Sequence, residues 1–506
     1  MFTVNRSIYK LCLLAALLST IGFTACRKEL AITPEVFVSP EQLYKDEAGA
    51  MAGLTGVYRQ MLELKRSDYY FIGIVGTDEG KTSSFVPTWG GYWTHYTGIN
   101  SYGQLLTPQN DLVQGIWSTL YKGISNANVA IRFIPQASAA DPVKNRLIGE
   151  AKFLRAAFYF NLVQLFGGVP MPTDVKNPEA DANGHPRSPE ADVYGLIISD
   201  LQFGVEHLNP KGPNAMNIGR ATKEAAMTLL GKVYLTRKEY ALAKTTLEPL
   251  MTATNVRLMT DYADLFKETK ENNEESIFEV QFSNENGNTN SLANTLGGWH
   301  IQSTYPGGGG HVVIPTDYYA NSFESNLDKR KDVSIRYKFY DANGAEVDYW
   351  WWADVTKPHV KKFDITTGIS SNSSESSRNI YYLRYADAIL MYAEVQNELN
   401  DVSAALANLN KIRTRAGLAN WETILGHVPA QGELRAEILK ERMRELGFEG
   451  WRWFDLKRTG NLLSQTISNN IDAAPNMVNK HLLLPISAKE FETNAALKPL
   501  DQNAGY

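Results

Sequence analysis

The apolar positions of Leu147–Pro170, LIGEAKFLRAAFYFNLVQLFGGVP, recur at steps of three and four on two faces at once. Leu147, Ala151, Leu154, Phe158, Leu162 and Leu165 make one stripe, and Phe153, Ala157, Phe160 and Val163 the other. A helix apolar on two sides needs neighbours on both. Gly167 and Gly168 release the backbone and Pro170 forbids continuation, which predicts where it ends. Around it the same spacing predicts helices over Pro40 to Leu64, Leu112 to Ile134 and Asp192 to Leu208. In Thr222 to Leu250, the residues Leu230, Gly231, Tyr234, Ala243 and Leu247 fall at tetratricopeptide spacing, the small residue letting one helix approach the other. Arg384 to Gly417 repeats the scheme with Ala393, Ala405, Leu409 and Ile412. The expected fold is therefore mainly α, a tetratricopeptide-like superhelix of stacked helical hairpins.

Two stretches break the helical period. Residues 85–102, FVPTWGGYWTHYTGINSY, place Trp89, Tyr92, Trp93, Tyr96 and Tyr102 among glycines with neither helical nor alternating spacing. Residues 275–382 open on Ser276-Ile277-Phe278-Glu279-Val280-Gln281-Phe282, which alternates like a strand. That region continues through Trp299-His300, Tyr305-Pro306, four glycines and Tyr349-Trp350-Trp351-Trp352, and reads as a loop-rich, partly β insert. The expected division is a leader over 1–25, a tether over 26–40, an N-terminal helical scaffold over 41–274, the insert over 275–382 and a C-terminal helical scaffold over 383–506. Loops on a rigid scaffold are where binding residues usually sit.

The 506 residues are 43% hydrophobic and carry a formal charge of -5, without the basic bias that nucleic-acid binding demands. Arg6 and Lys10 precede the apolar run Leu11 to Phe23, too short for a stable span and correct for a secretory leader. The run closes on Phe23-Thr24-Ala25-Cys26, which resembles a bacterial lipoprotein cleavage site with Cys26 as the lipidated residue. The other cysteine, Cys12, falls inside the leader, so no disulfide is expected after cleavage. Two or three acyl chains, palmitate among them, each contributing ~0.8 kcal/mol per buried methylene, would anchor the protein durably to a membrane.

Ordered motifs extend over nearly the whole length beyond the leader: Arg155-Ala156-Ala157-Phe158-Tyr159-Phe160 through Phe166-Gly167-Gly168-Val169-Pro170, Thr222-Lys223-Glu224-Ala225-Ala226 through Tyr234-Leu235, and Arg384-Tyr385-Ala386-Asp387 through Ala393-Glu394. Further along come Asn410-Lys411-Ile412-Arg413-Thr414-Arg415-Ala416-Gly417, the block from Glu441 to Arg458, and Leu484-Pro485-Ile486 through Asn503-Ala504-Gly505-Tyr506. In these the chain resembles the SusD/RagB family, nutrient-binding lipoproteins of Bacteroidetes. The resemblance implies a helical tetratricopeptide-like scaffold with a variable loop region as the ligand site, serving polysaccharide utilisation. It also implies an outer-membrane lipoprotein facing the cell exterior, with a SusC-like TonB-dependent transporter as partner. Family members are binding proteins rather than enzymes.

The candidate ligand residues come from composition and lie outside the family motifs. A glycan site needs flat apolar faces for sugar CH groups and polar side chains at the edge. The faces are Trp89, Tyr92, Trp93 and Tyr96 in the first loop and Trp299, Tyr305, Trp350 and Trp351 in the second, with His300, Asn100, Gln302 and Asp348 as polar neighbours. For each ring, packing and ligand contact both stand open. Glu445, Glu449 and Asp455 are the acids a glycosidase reading would use, but the interleaved arginines predict depressed pKa values and a structural ion-pair network, with Trp451 and Trp453 as packing residues. His95, His300, His311 and His359 lack ligand spacing for a transition metal. No catalytic residue and no cofactor is expected; loop carboxylates and carbonyls leave room for a structural calcium without locating one. The expected function is capture of an oligosaccharide, with a peptide or other non-sugar nutrient as the alternative ligand and a glycoside hydrolase as the other class.

Overall fold

The computed structural model describes residues 38–506 apart from 67, 85, 87–90, 173–183, 213–217, 297–311, 325–326, 341–345, 348–357 and 365–375. The leader over 1–25, Cys26 and most of the tether lie outside the described residues. The helices that build the scaffold are α1 (Pro40–Leu43), α2 (Glu47–Arg66), α3 (Thr94–Ser101), α4 (Asp111–Phe133), α5 (Asp141–Phe166) and α6 (Glu190–His207). They continue as α7 (Lys223–Thr236), α8 (Tyr240–Met251), α9 (Tyr385–Glu398), α10 (Val402–Arg415), α11 (Gln431–Leu446) and α12 (Arg452–Arg458). The fold is mostly helical, as the periodicity predicts.

The single helix expected from Pro40 to Leu64 is two. The Ser39 hydroxyl accepts from Gln42 N and the Gln42 side chain accepts from Ser39 N, a reciprocal cap on α1. Asp46 Oδ1 then accepts from Gly49 N at 2.9 Å and starts α2 afresh. The predicted stripe of α2 holds, with Ala50, Leu54, Val57 and Met61 buried.

Helix α5 has both faces buried, packed between α4 and α6 and also touching α2. At Gly123 of α4 a Cβ would stand 2.5 Å from the Phe158 ring, so the glycine is what lets α4 come this close. The helix stops at Gly167, whose φ of 76° lies in the left-handed region. Helices α7 and α8 form one hairpin and α9 and α10 a second, with α8 against α9. Their turns share one register: Lys238 and Asn400 take left-handed backbone (φ 61° and 63°), Glu239 N donates to Tyr234 O, and Asp401 N to Gln396 O, both at 2.9 Å. At Gly231 a Cβ would lie 2.4 Å from a Leu247 methyl, so this small residue sets the spacing within the hairpin. The two weak sequence matches are thus the same structural unit.

Six strands matter below: β1 (Gly80–Thr82), β2 (Ser276–Val280), β3 (Val313–Pro315), β4 (Ile335–Arg336), β5 (His359–Val360) and β6 (Ile380–Arg384). Strand β2 pairs antiparallel with β6, and both are buried at every position. The alternation of β2 therefore does not mark a wet face. Phe278 packs edge-on against Phe153 of α5 and Tyr382 of β6, while Glu279 on the opposite face accepts from Asn272 N at 3.0 Å and from the Asn379 side chain at 3.1 Å. A polar side chain can be buried there because its acceptors are satisfied.

The charged block from Glu441 to Arg458 is an ion-pair network, and its partners come from the whole chain. Glu445 accepts from Arg384 (2.6 Å), Arg330 (3.3 Å) and Arg415. Glu275 holds Arg384 at 2.8 Å and Arg415 at 3.1 Å; Arg330 bridges Asp328 at 2.9 Å and Glu441 at 2.7 Å. Glu449 takes Lys362 at 2.7 Å, and Asp78 accepts from Nε and Nη2 of Arg452 at 2.7 and 2.6 Å. A second group joins Asp387 to Lys232 and Arg442, and Asp455 to Arg442 and Arg458. Trp451 and Trp453 are buried packing residues.

Candidate functional site

The stretch 85–102, expected to be a loop, is helical over its second half: Thr94–Ser101 form α3, whose buried face of Tyr96, Ile99 and Asn100 turns the chain inward. The Trp93 ring, half-buried, lies 5.7 Å from that of Tyr96 at 34°, and Tyr96 packs on against Phe71 at 6.1 Å. Tyr96 is only 1% exposed, so it is the floor beneath Trp93 and offers no face to a ligand. Asn100 is likewise drawn inward: its Oδ1 accepts from Thr82 N at 3.0 Å and pins β1 beside α3. His95 Nε2 meets Asp111 Oδ2 at 2.7 Å, tying α3 to the start of α4.

Strand β1 pairs antiparallel with β3, Lys81 opposite Ile314. Ser83 N donates to Val312 O at 2.9 Å, and Val312 N to Thr295 O at 3.0 Å. The chain therefore enters and leaves 297–311 through one hydrogen-bonded neck, and that neck adjoins the residues that lead into the first aromatic stretch. Strand β5, which follows 348–357, pairs with β4 and packs against β3. Described residues flanking all three aromatic segments thus belong to one small cluster of strands. Of the candidate residues, Trp89, Trp299, His300, Tyr305, Trp350 and Trp351, with Gln302 and Asp348, lie outside the described residues, as does the Tyr92 side chain. Trp93 is the candidate ring placed partly outward.

Beside β1 and β3 opens a cleft of about 640 Å³ lined by Lys81, Asp317, Tyr318, Asn321, Asn469 and Ile471, among others. Its walls are built by amides. The Asn470 side chain donates to Thr77 O at 2.7 Å and accepts from Asp472 N at 3.2 Å, which shapes the loop that carries Ile471, 78% exposed, to the rim. Lys81 reaches Asp472 at 3.4 Å. Hydroxyls, amides and the exposed aliphatic side chains of Ile467 and Ile471 suit a polyhydroxylated ligand with apolar CH faces. Sequence reasoning passed over this wall; the run Asn469-Asn470-Ile471-Asp472, amides around a lone aliphatic residue, was its signal.

The acids of the glycosidase alternative sit elsewhere. Glu445, Glu449 and Asp455 are buried, and although burial opposes ionisation, the surrounding cations hold all three below the usual carboxylate range: Arg415 and Arg384 for Glu445, Arg384 and Lys362 for Glu449, Arg442 and Arg458 for Asp455. None is a general acid near neutrality. Among the described residues no three His, Cys, Asp or Glu side chains are grouped to hold a metal ion, and no described helix is long and apolar enough to cross a membrane.

Comparison with known proteins places this architecture in a class of glycan-associated proteins. Residues 274–506 match the SusD family, and residues 76–235 match the SusD-like family described as "Starch-binding associating with outer membrane". The chain belongs to the SusD/RagB family. It is 27% identical to SusD-like protein P2 of Formosa agariphila over 98% of this chain and 99% of that one. Among solved structures, a SusD homolog from Bacteroides thetaiotaomicron superposes with a TM-score of 0.79 at 23% identity, covering 92% of this chain and 98% of that one. A structure described as a laminarin binding SusD-like protein gives 0.76 at 26% identity, over 92% and 100%.

Proposed function

We propose that this chain captures a glycan at the cleft beside β1 and β3 and delivers it to a SusC-like TonB-dependent transporter of the outer membrane, without chemistry of its own. Lipidated Cys26 holds it to that membrane, facing the cell exterior. The observation that carries the reading is that described residues flanking the three aromatic segments, namely the neck at Thr295 and Val312, the pair of β1 with β3 and strand β5, share one cluster of strands beside an amide-rich cleft. Sugar binding then combines stacking on rings, Trp93 and those of the flanking segments, with edge-on hydrogen bonds from Tyr318, Asn321 and Asn469. The glycan-binding relative and the family description support the same direction. Calorimetry of the full chain against plant, fungal and host-derived oligosaccharides tests it. Heat of binding with ligand recovered intact is the expected outcome. Recovery of shortened ligand makes the protein a hydrolase, and silence across the panel with heat from peptides makes it a peptide binder.

A further inference from the structure

The cleft does not end at Tyr318. Beyond that ring a second lobe of about 440 Å³ opens along α11, walled by Trp421, Gly432, Ala436 and Asn461. The two lobes share Tyr318 and Lys440, so they meet over these side chains. Lys440 lies on α11 and is half-buried.

The other charges around this junction are spent within the protein. Arg452 is held by Asp78 at 2.6 Å, Glu437 by Arg444 at 2.8 Å, and Glu433 meets His427 at 3.2 Å. Arg435 is forked onto Glu398, and Lys81 reaches Asp472. Among the described residues Lys440 makes neither an ion pair nor a side-chain hydrogen bond, and the Tyr318 hydroxyl makes no hydrogen bond. Glu394, also on the lining, is held by Arg458 at 2.8 Å, and the remaining carboxylate is Asp317, exposed in the first turn of its own short helix and not paired with Lys440. A half-buried lysine and an uncommitted phenol that line the same junction of two lobes are completed by an anion on the ligand.

We propose that the captured glycan is acidic, a chain laid across both lobes that seats a carboxylate or sulfate-ester group on Lys440 Nζ. Tyr318 Oη donates to the same group, and Asp317 and the amides accept and donate to hydroxyls on the flanking sugars. This rests on the glycan reading above and names the chemical class of its ligand.

Calorimetry of the full chain with three hexasaccharides tests it: an oligogalacturonate, a sulfated galactan and neutral laminarihexaose. An acidic probe is expected to bind more tightly than the neutral one, and which acidic probe does so identifies carboxylate or sulfate. In Lys440→Gln the acidic-to-neutral affinity ratio falls about 10-fold or more, while Lys440→Arg keeps it. Raising salt from about 50 to about 500 mM shrinks the same ratio. Ala436→Phe, which fills the second lobe, weakens the acidic hexasaccharide more than the corresponding disaccharide. Tighter binding of laminarihexaose than of both acidic probes, or an equal loss on all three in Lys440→Gln, overturns the acidic assignment and leaves glycan capture standing. No heat from any of the three overturns both.

Discussion

Lys65, at the end of α2, is a cation enclosed by rings. It is 8% exposed, with its ammonium 4.7, 5.2 and 5.8 Å from the ring centroids of Tyr70, Tyr382 and Trp451. Burial, then repulsion from Lys232, pushes its pKa down to about 7, with Glu449 acting in the other direction. Glu79 is displaced the opposite way: burial lifts its carboxyl to about 8 despite the hydrogen bond from Phe448 N at 2.8 Å. The signs follow from proton counts. For Lys65 the unfolded chain holds a proton that the folded chain has lost above pH about 7, so stability rises with pH from there towards the ordinary lysine value. For Glu79 the folded chain holds a proton the unfolded one has lost, so its contribution is full below the ordinary glutamate value and is lost as pH rises through about 8. Lys65→Met is therefore expected to raise the urea midpoint at pH 7 and to remove the rise between pH 7 and 9. Glu79→Gln keeps an acceptor for Phe448 N and should flatten the fall between pH 5 and 8. Midpoint-against-pH curves parallel to the parent's for either variant would show that these groups do not carry the shifts assigned to them.

At the scale of elements, the two hairpins make opposite demands on small and ordinary residues. Gly231→Ala puts a methyl where Leu247 already stands and should destabilise by about 1–3 kcal/mol, read from chemical unfolding. Lys238→Gly relieves a left-handed side chain and should stabilise by up to ~1 kcal/mol, while Asn400→Gly in the matching turn gains less because asparagine tolerates that conformation. A stabilised Gly231→Ala would mean that α7 and α8 sit farther apart than Leu247 implies. Such elements were legible in the sequence because their signal is local: the stripes of α5, the stop at Gly167 and the repeat register are each contained within a few turns. The break between α1 and α2 was missed because its cause is a cap at Ser39 and a restart at Asp46, which the apolar stripe runs straight across. The strand β2 was found but its surroundings were not, since Glu279 is made acceptable by Asn272 and by Asn379, which lies far along the chain.

At the scale of the whole molecule, the same asymmetry separates network from site. The Glu441–Arg458 block announced ion pairing by its composition, but Asp78, Glu275, Arg330 and Lys362 could be joined to it only by the fold. The aromatic segments announced themselves by composition too; what the fold adds is that the described residues flanking them share one cluster of strands, and that Tyr96 and Asn100 are supports rather than contacts. That arrangement separates stability from capture. Val312 N donates to Thr295 O across the two ends that flank 298–310, so replacing those residues with a short glycine-serine turn should keep that bond, the β1–β3 pair and the ion-pair network. Shortening a loop changes its closure entropy by only about 0.6 kcal/mol per halving, so the melting temperature should hardly move. Glycan affinity should fall about 10-fold or more on the reading that Trp299 and Tyr305 supply stacking faces, as loss of a buried apolar side chain worth about 1.5–3 kcal/mol implies. A variant that melts much earlier would make 298–310 part of the core, and one that binds as well as the parent would move the platform to Trp93 and the segment before β5.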